Sequence, residues 1–256
     1  MRNIRKWAPQ LAVVLFLTGF AGVAAAEEPT APTAQDMLAK SDTYRLPELE
    51  NQLHVHLSSF KGAQEDSTAN YTVWVKGTDK SRVEMHDPKV RGQRVLMTDD
   101  GMWLFVPNTR QSIRITPMQR LLGEANYGDI GRMVWRDDYT AEFDAARASE
   151  AVDGVKAKWL ILTARKSAAV YARINLAVDA ADSRPLYAEY FLSSGKRLKT
   201  AKFDLPGMVR DKPVVMRVTF TDDIIKEKRT IMELSEIESK EIPDSFLTQS
   251  ALMRDR

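Results

Sequence analysis

The stretch Tyr71–Thr116, YTVWVKGTDKSRVEMHDPKVRGQRVLMTDDGMWLFVPNTRQSIRIT, restricts the possible fold more than any other part of the chain. Short apolar runs at Tyr71–Val75, Arg82–Met85, Arg94–Met97, Met102–Val106 and Ile113–Ile115 alternate with turn formers at 76–79, 87–88, 99–101 and 107–109. Asp-Gly between two apolar runs is a strong hairpin signal, because both residues tolerate the positive φ of a tight turn. Runs this short and this regularly spaced predict consecutive antiparallel strands in a meander. The same strands are rich in large apolar side chains and poor in groups that do chemistry.

Residues 1–26 read as an export signal outside the fold. Arg2, Arg5 and Lys6 form a basic head, Leu11–Val23 an apolar centre, and Ala24-Ala25-Ala26 a small-residue cleavage site before Glu27. The apolar run is shorter than the ~20 residues of a spanning helix, so cleavage after Ala26 is expected rather than retention as an anchor. Cleavage removes three of the 37 basic residues and none of the 35 acidic ones, leaving 34 against 35. The high isoelectric point of ≈ 8.7 therefore belongs to the precursor and gives no case for nucleic-acid binding. Lys196-Arg197 reads as a solvated strand end. The sequence has no cysteine, so neither disulfides nor a cysteine-linked lipid can hold the exported protein. Residues 27–256 are long enough to bury a sizeable core as one domain, expected in a bacterial periplasm as a monomer.

Thr33 and Asp36 form a candidate capping box, and Met37, Leu38 and Tyr44 recur at helical spacing, predicting a helix over 34–46 that stops before Pro47. Leu53, Val55 and Leu57 alternate with His54, His56 and Ser58 in a first strand. After the meander, Pro117 breaks the pattern. Met118, Leu121 and Leu122 suit a short amphipathic helix, and 126–135 is apolar and glycine-flanked, so this insert is expected to cover something. Strands resume at Lys158–Ala164, Arg173–Val178, Pro185–Leu192, Arg197–Phe203, Val214–Thr221 and Thr230–Ile237, and Asp244 is placed to cap a last short helix. Ten or so strands in one domain must curl or close to hide their edges. The expected fold is mainly β with short helices: a strongly curved antiparallel sheet, or incomplete barrel, under a helical lid.

The candidate lining of its concave face is Trp74, Met85, Met97, Trp103, Phe105, Ile113, Ile115, Trp159, Ile161, Tyr190, Met216, Phe220, Met232 and Leu234, with Met118, Leu121, Leu122, Met133 and Trp135 as the lid. Methionine suits a pocket that receives varied chains. The competing reading is a filled core, and the inward face stays open because both faces of Met102–Val106 are apolar. His54 and His56 share one side of a strand, with His86 as a third imidazole, but no carboxylate completes a metal set. Ser58 and Ser59 lie beside His56 without a G-x-S-x-G elbow, and phosphate-binding glycine motifs are absent, so neither catalysis nor a cofactor is expected. Asn70-Tyr71-Thr72 matches a glycosylation sequon without meaning in a periplasm.

Several blocks in order resemble the LolA-like family of periplasmic lipoprotein-sorting and lipid carriers. Asp100-Gly101 with Trp103, Phe105, Pro107 and Gln111 resembles its "DG…W.Y.P…Q" hairpin; Tyr71–Lys76, Arg184-Pro185-Leu186 and Ile242-Pro243-Asp244-Ser245-Phe246 resemble its preceding strand, later strand start and "IPDSFF" ending. The resemblance implies a half-open barrel that acts as carrier or chaperone for lipid or lipoprotein acyl chains, alongside an inner-membrane transporter and an outer-membrane acceptor. Where related carriers have a lid-controlling arginine after the "VK", this chain has Gly77, with Arg82 the nearest arginine. An RseB-like lipid-sensing adaptor is the alternative, and a hydrolase is disfavoured for want of a nucleophile motif.

Overall fold

The computed structural model describes residues 31–204, 207–223, 225 and 227–254; the export signal read above lies outside them. Helix α1 spans Ala34–Arg45, and its start carries the expected capping box, with the Asp36 amide donating to Thr33 Oγ1 and the Thr33 amide to Asp36 Oδ2. Strands β1 (Glu50–Lys61), β2 (Gln64–Lys76), β3 (Lys80–Met85), β4 (Arg94–Thr98), β5 (Gly101–Val106) and β6 (Gln111–Ile115) form the meander read from the turn residues. The short β7 (Arg120–Leu122), β8 (Ala125–Asn126) and the single-turn helix α2 (Tyr127–Gly131) follow. Next come β9 (Tyr139–Phe143), β10 (Ala157–Ala164), β11 (Arg173–Asp179), β12 (Pro185–Phe191) and β13 (Arg197–Asp204). The last elements are β14 (Gly207–Val209), β15 (Lys212–Val214), β16 (Arg217–Asp222), β17 (Lys228–Ser239) and a helical turn α3 (Gln249–Leu252).

Thirteen strands make one antiparallel sheet in the order β6-β5-β4-β3-β2-β1-β17-β16-β13-β12-β11-β10-β9, while β7–β8 and β14–β15 are separate ribbons. The sheet does not close, so β6 and β9 are its edges. It does curl. β4 and β11 stand eight places apart, ~38 Å in a flat sheet at ~4.8 Å per strand. Yet Asp99, in the β4–β5 turn, lies 2.9 Å from Lys166, in the β10–β11 loop. Register shifts in β1, β12 and their partners supply bulges that help bend the strands.

On the inner face Leu57 pairs with Met232 and Met232 with Val218, while Val55 pairs with Tyr71 and Tyr71 with Met85. These belong to one buried cluster that also takes Met37, Leu38 and Tyr44 of α1 and Ile130, Met133, Val134 and Trp135 of the insert. Helix α1 also guards the open edge: Gln35 Nε2 donates to Arg136 O and Tyr139 O, and Gln35 Oε1 accepts from Ala141 N, satisfying the backbone of β9.

The expected helix at Met118–Leu122 is corrected to the ribbon β7–β8, and α2 is only five residues long, so the insert is mainly ribbon and loop, and α1 is the longer helix packed on the inner face. Gly123 adopts φ +52°, which turns the chain back on itself where a helix would continue. The expected cap of the last helix also moves: Pro243 precedes the 3₁₀ turn Asp244–Phe246, and Thr248 caps α3. Among the described residues no helix is long and apolar enough to cross a membrane.

A Cβ at Gly123 would lie 2.2 Å from Thr230 Oγ1 and 2.9 Å from Ser59 Cβ, both on the inner face. Gly123→Ala is expected to destabilise the fold by about 3 kcal/mol in denaturant titration, from positive-φ strain plus overpacking. Gly154→Ala, also at positive φ but with open space around it, should cost only about 1 kcal/mol. Equal losses would show that the insert does not dock where the structure places it.

Candidate functional site: an apolar gutter closed by polar clasps

The concave face is a gutter of aliphatic and aromatic side chains, and its own chain fills it. A cavity of ≈ 40 Å³ is left among Arg45, Trp135, Tyr171, Tyr190, Phe203, Val218 and neighbouring residues. That is room for about one water-sized group and far less than an acyl chain occupies. The site in this state is thus a gutter with its cover seated.

Of the fourteen expected lining residues, the inner cluster contains Met85, Met97, Ile115, Tyr190, Phe220, Met232 and Leu234. Ile113 lies in register with Leu104 on that face, but at the open edge, where it is 48% exposed. Trp74, Trp103 and Phe105 point to the opposite face, where they pack with Leu96, Ile242, Phe246, Leu247 and Leu252. Trp159 joins a third cluster with Ala157 and Ala177, Ile161 follows it two residues on, and Met216 sits against Gly207 outside the gutter. Both faces of β5 are apolar because the C-terminal strap covers the outer one. The lid residues Met118, Leu121 and Leu122 are half-buried against the inner cluster, and Met133 and Trp135 are within it.

Arg82, on β3, packs against this strap of residues 242–252. Its guanidinium lies 4.1 Å from the Phe246 ring centroid and bonds Glu84 at 2.8 Å. Lys76 donates to Ile242 O at 2.7 Å on the same side. A groove of ≈ 540 Å³ runs beneath this strap between Trp74, Arg82, Lys240 and Phe246, but it is open to solvent and edged with charge. The histidines do not converge. His54 faces Glu236, His56 bonds Asn70 and Ser58, and His86 bonds Thr72.

Three polar clasps hold the insert in the gutter. At α1, Asp42 Oδ2 accepts from the amides of Trp135 and Arg136 at 2.9 and 2.8 Å, and Arg45 lies 3.3 Å from the Trp135 ring centroid. On β13, Lys199 Nζ donates to Asp129 Oδ2 at 2.5 Å and to Glu124 O at 2.7 Å. Asp129 also accepts from Tyr171 OH at 2.6 Å and from the Asn126 amide at 2.7 Å. At the far side Arg132 is bound by Asp138 and by Asp99, and Lys166 completes the bridge.

Burial governs these charges. It pulls the Lys199 ammonium below the usual lysine range, with Asp129 opposing the fall. It pushes Asp42 up against the pull of Arg45. For Arg132 the bonds to Asp138 and Asp99 outweigh burial and keep it charged. None of these groups was singled out from sequence. One signal existed: Lys199, Ala201 and Phe203 alternate on one face of β13, so Lys199 occupies a position its neighbours mark as inward.

The class is now defined: an open, curled antiparallel sheet plugged by its own insert, the architecture of LolA-like proteins. A family model described as "uncharacterized protein" matches residues 77–254. The chain belongs to that family, and its fold is LolA-like. It is similar to a LolA superfamily protein from Nitrosomonas europaea, at 27% identity and TM-score 0.79, covering 86% of this chain and 100% of the other. A domain from Vibrio parahaemolyticus described as an outer membrane lipoprotein-sorting protein shares the fold at 18% identity and TM-score 0.70, covering 86% and 98%. So does a DUF1329 family protein from Desulfovibrio piger, at 18% and 0.71, covering 86% and 97%. No curated protein matches the sequence.

Burial raises the hydroxyls of Tyr71, Tyr139, Tyr171 and Tyr190 above the usual tyrosine range. A folded chain keeps these protons where an unfolded one loses them, so their stabilisation is complete below about pH 10 and falls as pH rises past it. Lys199 acts in the opposite sense, one group against four. In an alkaline titration the tyrosinate absorbance of these four should appear only together with loss of the folded circular-dichroism signal. Full ionisation in a still-folded protein would contradict their burial beneath the insert.

Proposed function

We propose that the chain is a periplasmic carrier that takes acyl chains of a lipoprotein or other lipid into the gutter and moves them toward the outer membrane. The observation that carries this reading is the nature of the cover. Among the described residues the inner face meets no second large sheet; it meets α1 and an insert of short ribbon and loop that packs through Ile130, Met133 and Trp135 and is fastened by polar clasps. Each buried methylene gains ~0.8 kcal/mol, so a chain of about fourteen gains ~11 kcal/mol. A clasp of hydrogen bonds is worth ~1–3 kcal/mol when broken. Against Met133 and Trp135 the chain exchanges one set of apolar contacts for another, so the surplus of its length over theirs is what opposes the clasps, and release needs a surface that receives the chain while the insert re-seats.

An inner-membrane transporter as donor and an outer-membrane acceptor belong to the same proposal, as does export to the periplasm by the leader at 1–26. The 27% identity to the Nitrosomonas europaea protein supports the carrier class over an enzyme.

A Cβ at Gly131 would lie 3.2 Å from Ser81 Oγ, close enough for a disulfide between Gly131→Cys and Ser81→Cys. The chain has no other cysteine. The oxidised double variant is expected to lose at least tenfold in uptake of a fluorescent fatty acyl probe and to regain it on reduction. Undiminished uptake with the insert locked down would refute loading through the gutter.

A further inference from the structure

The charges inside the gutter are not equally provided for. Lys199 and Asp129 satisfy each other, and Arg132 is held by two carboxylates. Arg45 differs. It ends α1, is 6% exposed, and borders the ≈ 40 Å³ cavity with Arg132, Tyr190, Val218 and Leu234. Its nearest carboxylate oxygen, Asp42 Oδ1, stands 3.4 Å from Nη2 without hydrogen-bond geometry, while Oδ2 is taken by the Trp135 and Arg136 amides. Nε and Nη2 of Arg45 are buried and donate to no described residue, and the same holds for Nη1 of Arg132. The Trp135 ring merely covers the guanidinium.

A buried guanidinium with unused donors is a standing cost, and the fork of Nε and Nη2 matches the two oxygens of a carboxylate. We propose that Arg45 is a head-group receptor and that the cargo is a single-chain amphiphile ending in a carboxylate, of the fatty-acid class. This inference rests on the carrier reading above. The chain would lie in the gutter in place of Met133 and Trp135, and withdrawal of the Trp135 ring would present the fork to the carboxylate. Asp129 borders the same cavity, but its oxygens are engaged by Tyr171, Asn126 and Lys199, which limits its repulsion. A phosphate head shares the anionic chemistry; the small cavity favours the planar carboxylate.

The test is displacement of a neutral dye, Nile red, from the full chain by laurate, methyl laurate, lauryl alcohol and dodecyl phosphate. Laurate is expected to bind at least tenfold more tightly than the ester and the alcohol, and more tightly than the phosphate. Arg45→Gln should bring the acid-to-ester ratio close to one, and Arg45→Lys should leave it between the two. Equal binding of acid, ester and alcohol overturns the proposal while leaving a carrier of neutral chains. Preference for dodecyl phosphate overturns it in favour of a phosphate head. Failure of every ligand to displace the dye removes the carrier reading, and this one with it. The wild-type comparison decides even where a variant does not fold.

Discussion

An apolar sheet face thirteen strands wide cannot be left to water, and among the described residues no second large sheet buries it. Everything else in the structure answers that constraint. The sheet curls until the β4–β5 turn meets the β10–β11 loop, and α1, the 117–138 insert and the loop carrying Tyr171 fill what the curl encloses. The outer face near β2–β5 has the same difficulty on a smaller scale and solves it with the C-terminal strap, through Trp74, Phe105, Phe246 and Leu252. The two solutions differ in what fastens them. Both pack aromatic rings against arginines, and the strap's ion pairs, such as Lys76–Asp244, lie toward solvent, whereas Lys199 and Asp129, which hold the insert, are drawn into the interior.

That difference bears on function. A cover made only of aliphatic packing would be part of the core and would leave only on unfolding. Buried ion pairs add little net stability against apolar replacements, yet they fix one arrangement, and they fail together when geometry shifts. Asp42, Lys199 and Arg132 each tie the insert to a different wall of the gutter, so the seated state is fixed by these bonds as well as by the apolar contacts of Ile130, Met133 and Trp135. An acyl chain competes with Met133 and Trp135 on equal terms, methylene for methylene. The Gly131–Met97 and Gly128–Val170 approaches, where a Cβ would come within 2.8 Å and 2.6 Å of the facing side chains, show how closely the insert is fitted.

The meander was legible because its information is local: turn residues such as Asp99-Asp100-Gly101 and alternation such as Leu53, Val55, Leu57 lie within one hairpin. The helix over 34–46 was legible for the same reason, through Thr33 and Asp36. The insert was not. Met118, Leu121 and Leu122 have helical spacing, but Gly123 and its contact with Ser59 and Thr230, far apart in sequence, impose a ribbon. The length of β2 was understated because Gln64–Thr68 is polar and largely exposed. The inward face of β5 could not be chosen while the strap was unplaced, so Trp103 and Phe105 were read on the wrong side of that choice. Neither Lys199 nor Arg45 stood out in the sequence. Their burial comes from a curl that only the whole sheet defines.

The central claim is that cargo takes the insert's place in the gutter. Hydrogen–deuterium exchange with and without saturating fatty acyl ligand tests it most directly. Amides of residues 125–138 should lose protection when ligand binds, while those of β1 and β17 keep theirs. Ligand demonstrably bound with the insert equally or better protected would contradict the account.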